Sequence, residues 1–207
     1  MIDYFEIATK YINECVDPDF VISDEDILDF DDLYCFSLKY REKGVVGSGP
    51  GPIIINKIDG RIFQYGSAHG RESAIADLRK RILLEIEIKK EHPQFMLETR
   101  YDLEITRIKR KMVLIELLMK YGTTFIIPEV VDSAIYRVGK SYTLPQLEDR
   151  LKVLPATFHG IYGRGDINLF SALMQNKCCD FNLIEHVDHK FEKYISRATA
   201  KDLEPIW

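Results

Sequence analysis

Hydrophobic and polar positions alternate in two rhythms along this chain. Residues 2–16 place Tyr4, Phe5, Ala8, Tyr11, Ile12 and Cys15 at three- and four-residue intervals, the spacing of one helical face. Asp17-Pro18 should end that helix, because the residue before proline avoids the helical region. Residues 19–32 mix Phe20, Val21, Ile22, Ile27, Leu28 and Phe30 with acids. They suggest a short strand, with Ser23 able to cap a helical turn over 24–28. Residues 33–40 read as a strand and 41–51 as a loop with four glycines. Ile53-Ile54-Ile55 and the alternating run Arg61 to Tyr65 then flank Asp59-Gly60, the grammar of a hairpin with a two-residue turn.

Two long helices should follow. The first, over 71–91, would bury Ala74, Ile75, Ala76, Leu78, Ile82, Leu83 and Ile86, and His92-Pro93 would break it. The second, over 102–121, would bury Ile105, Ile108, Met112, Ile115, Leu118 and Met119, with Gly122 after its end. Strands are expected over 123–127, stopped by Pro128, and over 133–138. Thr143, Pro145 and Gln146 spell a capping box for a helix ending near Val153. A short strand over 156–162, a loop at 163–165, a helix over 166–175 capped by Asp166 and a last helix over 182–196 complete the reading.

The hairpin echoes itself. A shift of 73 residues superposes Ile53 on Ile126, Ile54 on Ile127, Asp59 on Asp132, Gly66 on Gly139 and Leu78 on Leu151. Both stretches read strand, turn, strand, glycine, helix. Duplication is one reading of this. Compositional likeness between two β-β-α units is the other. The expected fold is α+β, two β-β-α-containing halves (1–92 and 93–207) with mixed or antiparallel sheets joined by long helices.

Gly47, Gly51-Pro52, Ile53 to Ile55, Lys57, Asp59-Gly60, Ile62 and Gly66-Ser67, preceded by the strand Leu33 to Tyr40, together resemble the Immunity 35 (YrhB-like) family. The resemblance covers roughly the first 90 residues. The family usually carries a tryptophan near the first of these strands, whereas the one tryptophan here is Trp207. What the resemblance implies is a small bacterial protein that neutralises a toxin by binding it. The family has no agreed catalytic residues to carry over.

Composition narrows the classes. The chain has 207 residues, 46% of them hydrophobic, with 11 tyrosines and 11 phenylalanines, which suits a folded core and argues against disorder. No apolar run reaches the roughly 20 residues that span a bilayer, and residues 1–6 lack the pattern of a secretory signal. The expectation is a cytoplasmic protein with reduced cysteines and no membrane partner. Cys15, Cys35, Cys178 and Cys179 match no zinc spacing. The net charge of −5 conceals an asymmetry, since eleven acids and only Lys10 as a base lie in residues 1–37. Asp24, Glu25, Asp26, Asp29, Asp31 and Asp32 form the candidate partner-binding patch. A nuclease toxin must present a positive face to phosphates, and an acidic inhibitor can occupy it. A solvated acidic face is the plain alternative. Calcium binding is disfavoured because the glycine and distal glutamate of the helix-loop-helix site are missing.

Other motifs carry less. His186 and His189 would share a helical face, with no third ligand in view and a surface pair as the default. Gly47 to Gly51 runs into a strand rather than a helix, and Gly139-Lys140-Ser141 lacks the earlier glycine of a phosphate loop, Ala134 standing there. Arg164-Gly165-Asp166 reads as a loop and cap. Arg79 to Arg81 and Arg107 to Lys111 are interleaved with Glu85, Glu87, Glu98 and Glu104, a solvated mixture rather than a nucleic-acid face. No cofactor, metal or catalytic set is assigned. The function expected is a cytoplasmic immunity protein whose partner is a cognate toxin. A small hydrolase or nucleotide-processing enzyme and a chaperone-like scaffold are the alternatives. A deep pocket with convergent polar groups would favour the enzyme, and an exposed apolar groove the scaffold.

Overall fold

The structure is a computed structural model, and it describes residues 3–16, 19–23, 27–42, 50–131, 134–186 and 194–195. Among these are five helices and twelve strands, all paired antiparallel where they pair. The fold class is α+β. The chain divides into two compact units, Met1–Lys80 and Arg81–Trp207. The division falls inside a helix, twelve residues before the boundary the sequence suggests.

In the first unit, helix α1 (Tyr4–Cys15) begins where the Asp3 carboxylate accepts hydrogen bonds from the Phe5 and Glu6 N–H groups. A four-stranded sheet in the order β2-β3-β5-β6 follows, built from β2 (Leu28–Asp29), β3 (Leu33–Phe36), β5 (Ile53–Asn56) and β6 (Ile62–Gln64). Strands β1 (Phe20–Ile22) and β4 (Leu38–Tyr40) pair separately, so the single strand expected over 33–40 is two strands interrupted at Ser37. Every residue of β3 and β5 is buried, so both faces of these two central strands are covered. Tyr34, Phe36, Ile53 and Ile55 pack with Ala8 and Ile12 of α1. Leu33, Cys35, Ile54 and Phe63 alternate to the other face and are buried there.

The hairpin β5–β6 forms as expected, but its turn is longer. Four residues, Lys57 to Gly60, lie between Asn56 and Arg61, whose backbones still bond at 2.8 Å. Gly60 supplies the positive φ (76°) at the last of them. Helix α2 (Arg71–Lys89) starts in this unit, where Tyr65 donates to Asp77 and Arg79 grips Asp32.

The second unit opens with the rest of α2. Along α2 as a whole the buried stripe differs from the expected one: Ile88 and Glu85 are buried, whereas Ala76, Leu83 and Ile86 are exposed. Glu85, 2% exposed, pairs with Lys89 at 2.9 Å. A carboxylate held by a cation one turn on can occupy a position that hydropathy assigns to an aliphatic residue.

The expected second long helix is half strand. Residues Arg100–Ile108 form β7, and only Lys111–Lys120 form helix α3. Tyr101, Leu103 and Ile105 are buried in strict alternation, a period of two that the coincidental Ile105, Ile108 and Met112 spacing masks. β7 is the centre of a three-stranded sheet in the order β10-β7-β11, with β10 (Ala156–Tyr162) and β11 (Cys179–Glu185) at its edges. The first residues of the last expected helix, 182–185, are therefore strand, and its residues 187–193 and 196 lie outside the described residues. A third sheet, β12-β9-β8, contains β8 (Thr124–Val131), β9 (Ala134–Ser141) and β12 (Tyr194–Ile195). β8 runs on through Pro128, which sits opposite Arg137. An edge strand pairs on one side only, so it can carry a residue that lacks an N–H.

Helix α4 (Leu144–Arg150) starts at the expected capping box, the Gln146 Oε1 accepting from the Thr143 N–H at 2.9 Å. Helix α5 (Gly163–Asn176) starts three residues earlier than expected. Asp166 lies in its first turn and accepts from the Tyr162 N–H at 2.9 Å, with its carboxyl pushed up by burial. The Arg-Gly-Asp tripeptide is thus helical. The core of this unit is aromatic. Phe95 stacks on Tyr101, and Phe170 of α5 meets both edge-on. Phe125, Tyr142 and Phe158 link the third sheet to β10.

Candidate functional site

The strongest clustering of chemical groups among the described residues lies on the β10-β7-β11 sheet. Because Tyr101, Leu103 and Ile105 point into the core, Asp102 and Glu104 must point to the opposite face. Phe158 pairs with Leu103 and Ile161 with Tyr101, so two residues of β10, His159 and Gly160, stand opposite the single Asp102. This is a β-bulge, a device that re-aims a side chain. Gly160 adopts φ 66°, which a side chain would oppose. Its N–H donates to Asp102 Oδ1 at 3.1 Å, and its carbonyl accepts from Arg100 Nη1 at 3.1 Å. On the other edge, the His186 N–H donates to the Arg100 carbonyl at 2.8 Å and so extends the ladder one residue beyond β11.

The three side chains meet as a result. His159 Nδ1 lies 2.9 Å from Asp102 Oδ2, and His186 Nδ1 lies 2.8 Å from Asp102 Oδ1. The imidazole centroids are 6.4 Å apart. One donor atom from each residue lies within 4.8 Å of the other two. The side chains of His186, Asp102 and His159 are 10%, 18% and 32% exposed, so the cluster is sheltered but reachable. A carboxylate and two imidazoles can hold a proton network or a borderline divalent cation.

Sequence reasoning singled out His186 but paired it with His189. His186 directly follows strand β11 instead of lying on a helix, and His189, and with it the expected pair, lies outside the described residues. Asp102 and His159 were not singled out. Their signal was the alternation of Tyr101, Leu103 and Ile105, which puts Asp102 on a polar face, together with a glycine beside a histidine in a strand.

Three of the six acids of the candidate patch, Asp29, Asp31 and Asp32, are described, at and just after β2. Asp24, Glu25 and Asp26 lie outside the described residues. Asp29 meets Lys57, and Asp32 accepts from Arg79 Nε and Nη2 at 2.8 and 2.7 Å. The hydrogen-bonded guanidinium holds the Asp32 carboxyl below the usual carboxylate range. Asp31 is exposed in the tight turn between β2 and β3. The three described acids thus reach solvent, but two of them face bases of the chain itself.

Other candidates resolve locally. Cys35, Cys178 and Cys179 are buried and Cys15 is exposed, all as free thiols. Gly139-Lys140-Ser141 ends strand β9, with Lys140 paired to Glu129. Of the glycine run 47–51 only Pro50 and Gly51 are described. The basic run 107–111 leaves β7 and enters α3, Lys109 meeting Asp180. An open cleft of about 540 Å³ is lined by His92, Lys109, Lys177, Asp180 and Phe181, among others, and His92 stacks on Phe181. No described helix is long and apolar enough to cross a membrane. Comparison with protein-family models, with curated proteins and with solved structures gives no match.

Proposed function

We propose that the protein is a cytoplasmic immunity protein that binds and neutralises a cognate bacterial toxin, a nuclease by preference. The observation that carries this reading is how the residues of the family resemblance come together. A methyl group on Gly51 would lie 2.1 Å from the Gly66 carbonyl oxygen, so Gly51 must be bare for the backbone at Gly66 to pass against it. Lys57 reaches Asp29 and lies 5.0 Å from the centroid of the Tyr4 ring, and Asp59 accepts from the Arg61 N–H at 3.1 Å. The motif thus acts as one structural device, closing a small sheet whose acidic edge faces outward.

On this reading the toxin's basic face approaches the edge formed by β2 and the turn after it. Charge complementarity of this kind mainly raises the association rate. The toxin in the neighbouring reading frame is the partner to test. Co-expression should yield a complex and protect the host cell. Replacing Asp24, Asp26, Asp29 and Asp31 together by Asn should slow association, with a weaker dependence on salt than the parent. Unchanged association kinetics would remove the acidic edge from the interface. Failure of any neighbouring toxin to bind would remove the function.

A further inference from the structure

We infer that Asp102, His159 and His186 form a binding site for one zinc-class divalent cation. The backbone supports this beyond the proximity of three side chains. The central strand β7 supplies the carboxylate, β10 supplies one imidazole, and the residue directly after β11, still bonded to the Arg100 carbonyl, supplies the other. His159 follows Phe158, which pairs with Leu103, so ordinary alternation sets it opposite Asp102 on the polar face, and the extra residue Gly160 returns Ile161 to register with Tyr101. The Gly160 N–H, at 3.1 Å, orients the carboxylate, the kind of outer support that fixes a metal ligand.

The distances suit a small cation. Ligands about 2.0–2.2 Å from a tetrahedral ion sit roughly 3.2–3.6 Å from one another. The present Nδ1–Oδ contacts, 2.8 Å to Oδ1 and 2.9 Å to Oδ2 of Asp102, would need to open by about 0.3–0.8 Å to admit it. Two imidazoles and one carboxylate form a nitrogen-rich, borderline donor set. It favours Zn²⁺, Co²⁺, Ni²⁺ or Cu²⁺ over Mg²⁺ or Ca²⁺, which prefer oxygen. Three protein ligands leave a fourth position, and the partial exposure of His159 opens it to water or a small anion. The site lies in the second unit and does not rest on the toxin-binding reading.

The test is titration of the chelator-treated full chain with ZnCl₂ by calorimetry and with CoCl₂ by visible absorption. One equivalent should bind, and the cobalt form should show a tetrahedral spectrum without a thiolate charge-transfer band. His159→Ala and His186→Ala should each lower zinc affinity by at least about tenfold, while circular dichroism of the metal-free protein stays unchanged. Because Asp102 lies in the central strand, Asp102→Asn is read only alongside these two. The double variant Cys15→Ser/His69→Ala, which leaves the cluster intact, should bind like the parent. No stoichiometric binding, a thiolate band, or parental affinity in both histidine variants would overturn the inference and leave a hydrogen-bonded Asp–His–His cluster.

Discussion

Gly51 has no room for a methyl group, whereas Gly66, its partner, does. A Cβ on Gly51 would meet the Gly66 and Tyr65 carbonyl groups at 2.1–2.5 Å, and backbone atoms cannot swing aside. A Cβ on Gly66 would find only His69 Nδ1 at 4.0 Å. Gly51→Ala should therefore destabilise the first unit by about 1–3 kcal/mol or more, and Gly66→Ala by much less. Urea midpoints of the two variants check this, and equal midpoints would contradict the packing described. The thiols allow a second test at the same scale. Burial pushes the Cys35 thiol up to about 11, and burial together with the adjacent Cys178 pushes Cys179 up to about 12. A disulfide reagent at mildly alkaline pH should label Cys15 rapidly, with the other three reacting only as the chain opens. More than one fast equivalent would disprove it.

At the scale of elements, helix α2 separates the two possible readings of its apolar residues. Leu83 and Ile86 are 65% and 53% exposed, and Ile88 is fully buried. Leu83→Lys should change stability by no more than about 0.5 kcal/mol, and Ile88→Ala should cost about 2–5 kcal/mol. The reverse order in denaturant melts would restore the stripe inferred from hydropathy. His92 adds a pH dependence. Burial beneath Phe181 lowers its pKa from the ordinary imidazole value. Above that value the ring is neutral whether folded or unfolded. As pH falls through it, the unfolded chain takes up a proton that the folded chain resists, so stability declines. His92→Phe keeps the stacking partner and should flatten the loss measured between about pH 7.5 and 5.5, around the ordinary imidazole value of about 6.5. An unaltered slope would assign the effect elsewhere.

Legibility in the sequence also divides by element. Helix α1, the hairpin, the capping box of α4 and strand β10 all carry local signals: a helical period, Asp-Gly, Thr-x-x-Gln, and a short run ending at glycine. β7 and β11 were misread because short apolar runs fit both periods, and only their pairing with distant strands decides between them. The Asp102 cluster inherits that error. A carboxylate assigned to a helix cannot be seen to face a histidine on a neighbouring strand. The acidic segment was visible as charge, but Lys57 and Arg79, which pair with Asp29 and Asp32, come from later in the chain.

For the whole molecule, each unit has its own core, so thermal unfolding should show two separable transitions. Zinc should raise only the one that belongs to the second unit, by mass action on its folded state. A uniform shift of both transitions would argue against separate cores. Pro128 has a consequence at this scale as well. It lies midway along β8, an outer strand of its sheet, where another chain would otherwise find an unbroken row of donors. A newcomer aligning there loses a rung at the proline, so templated stacking of copies along that margin should stall. Pro128→Val restores the donor and should show its effect as fibril growth on storage, while the folded monomer keeps its shape.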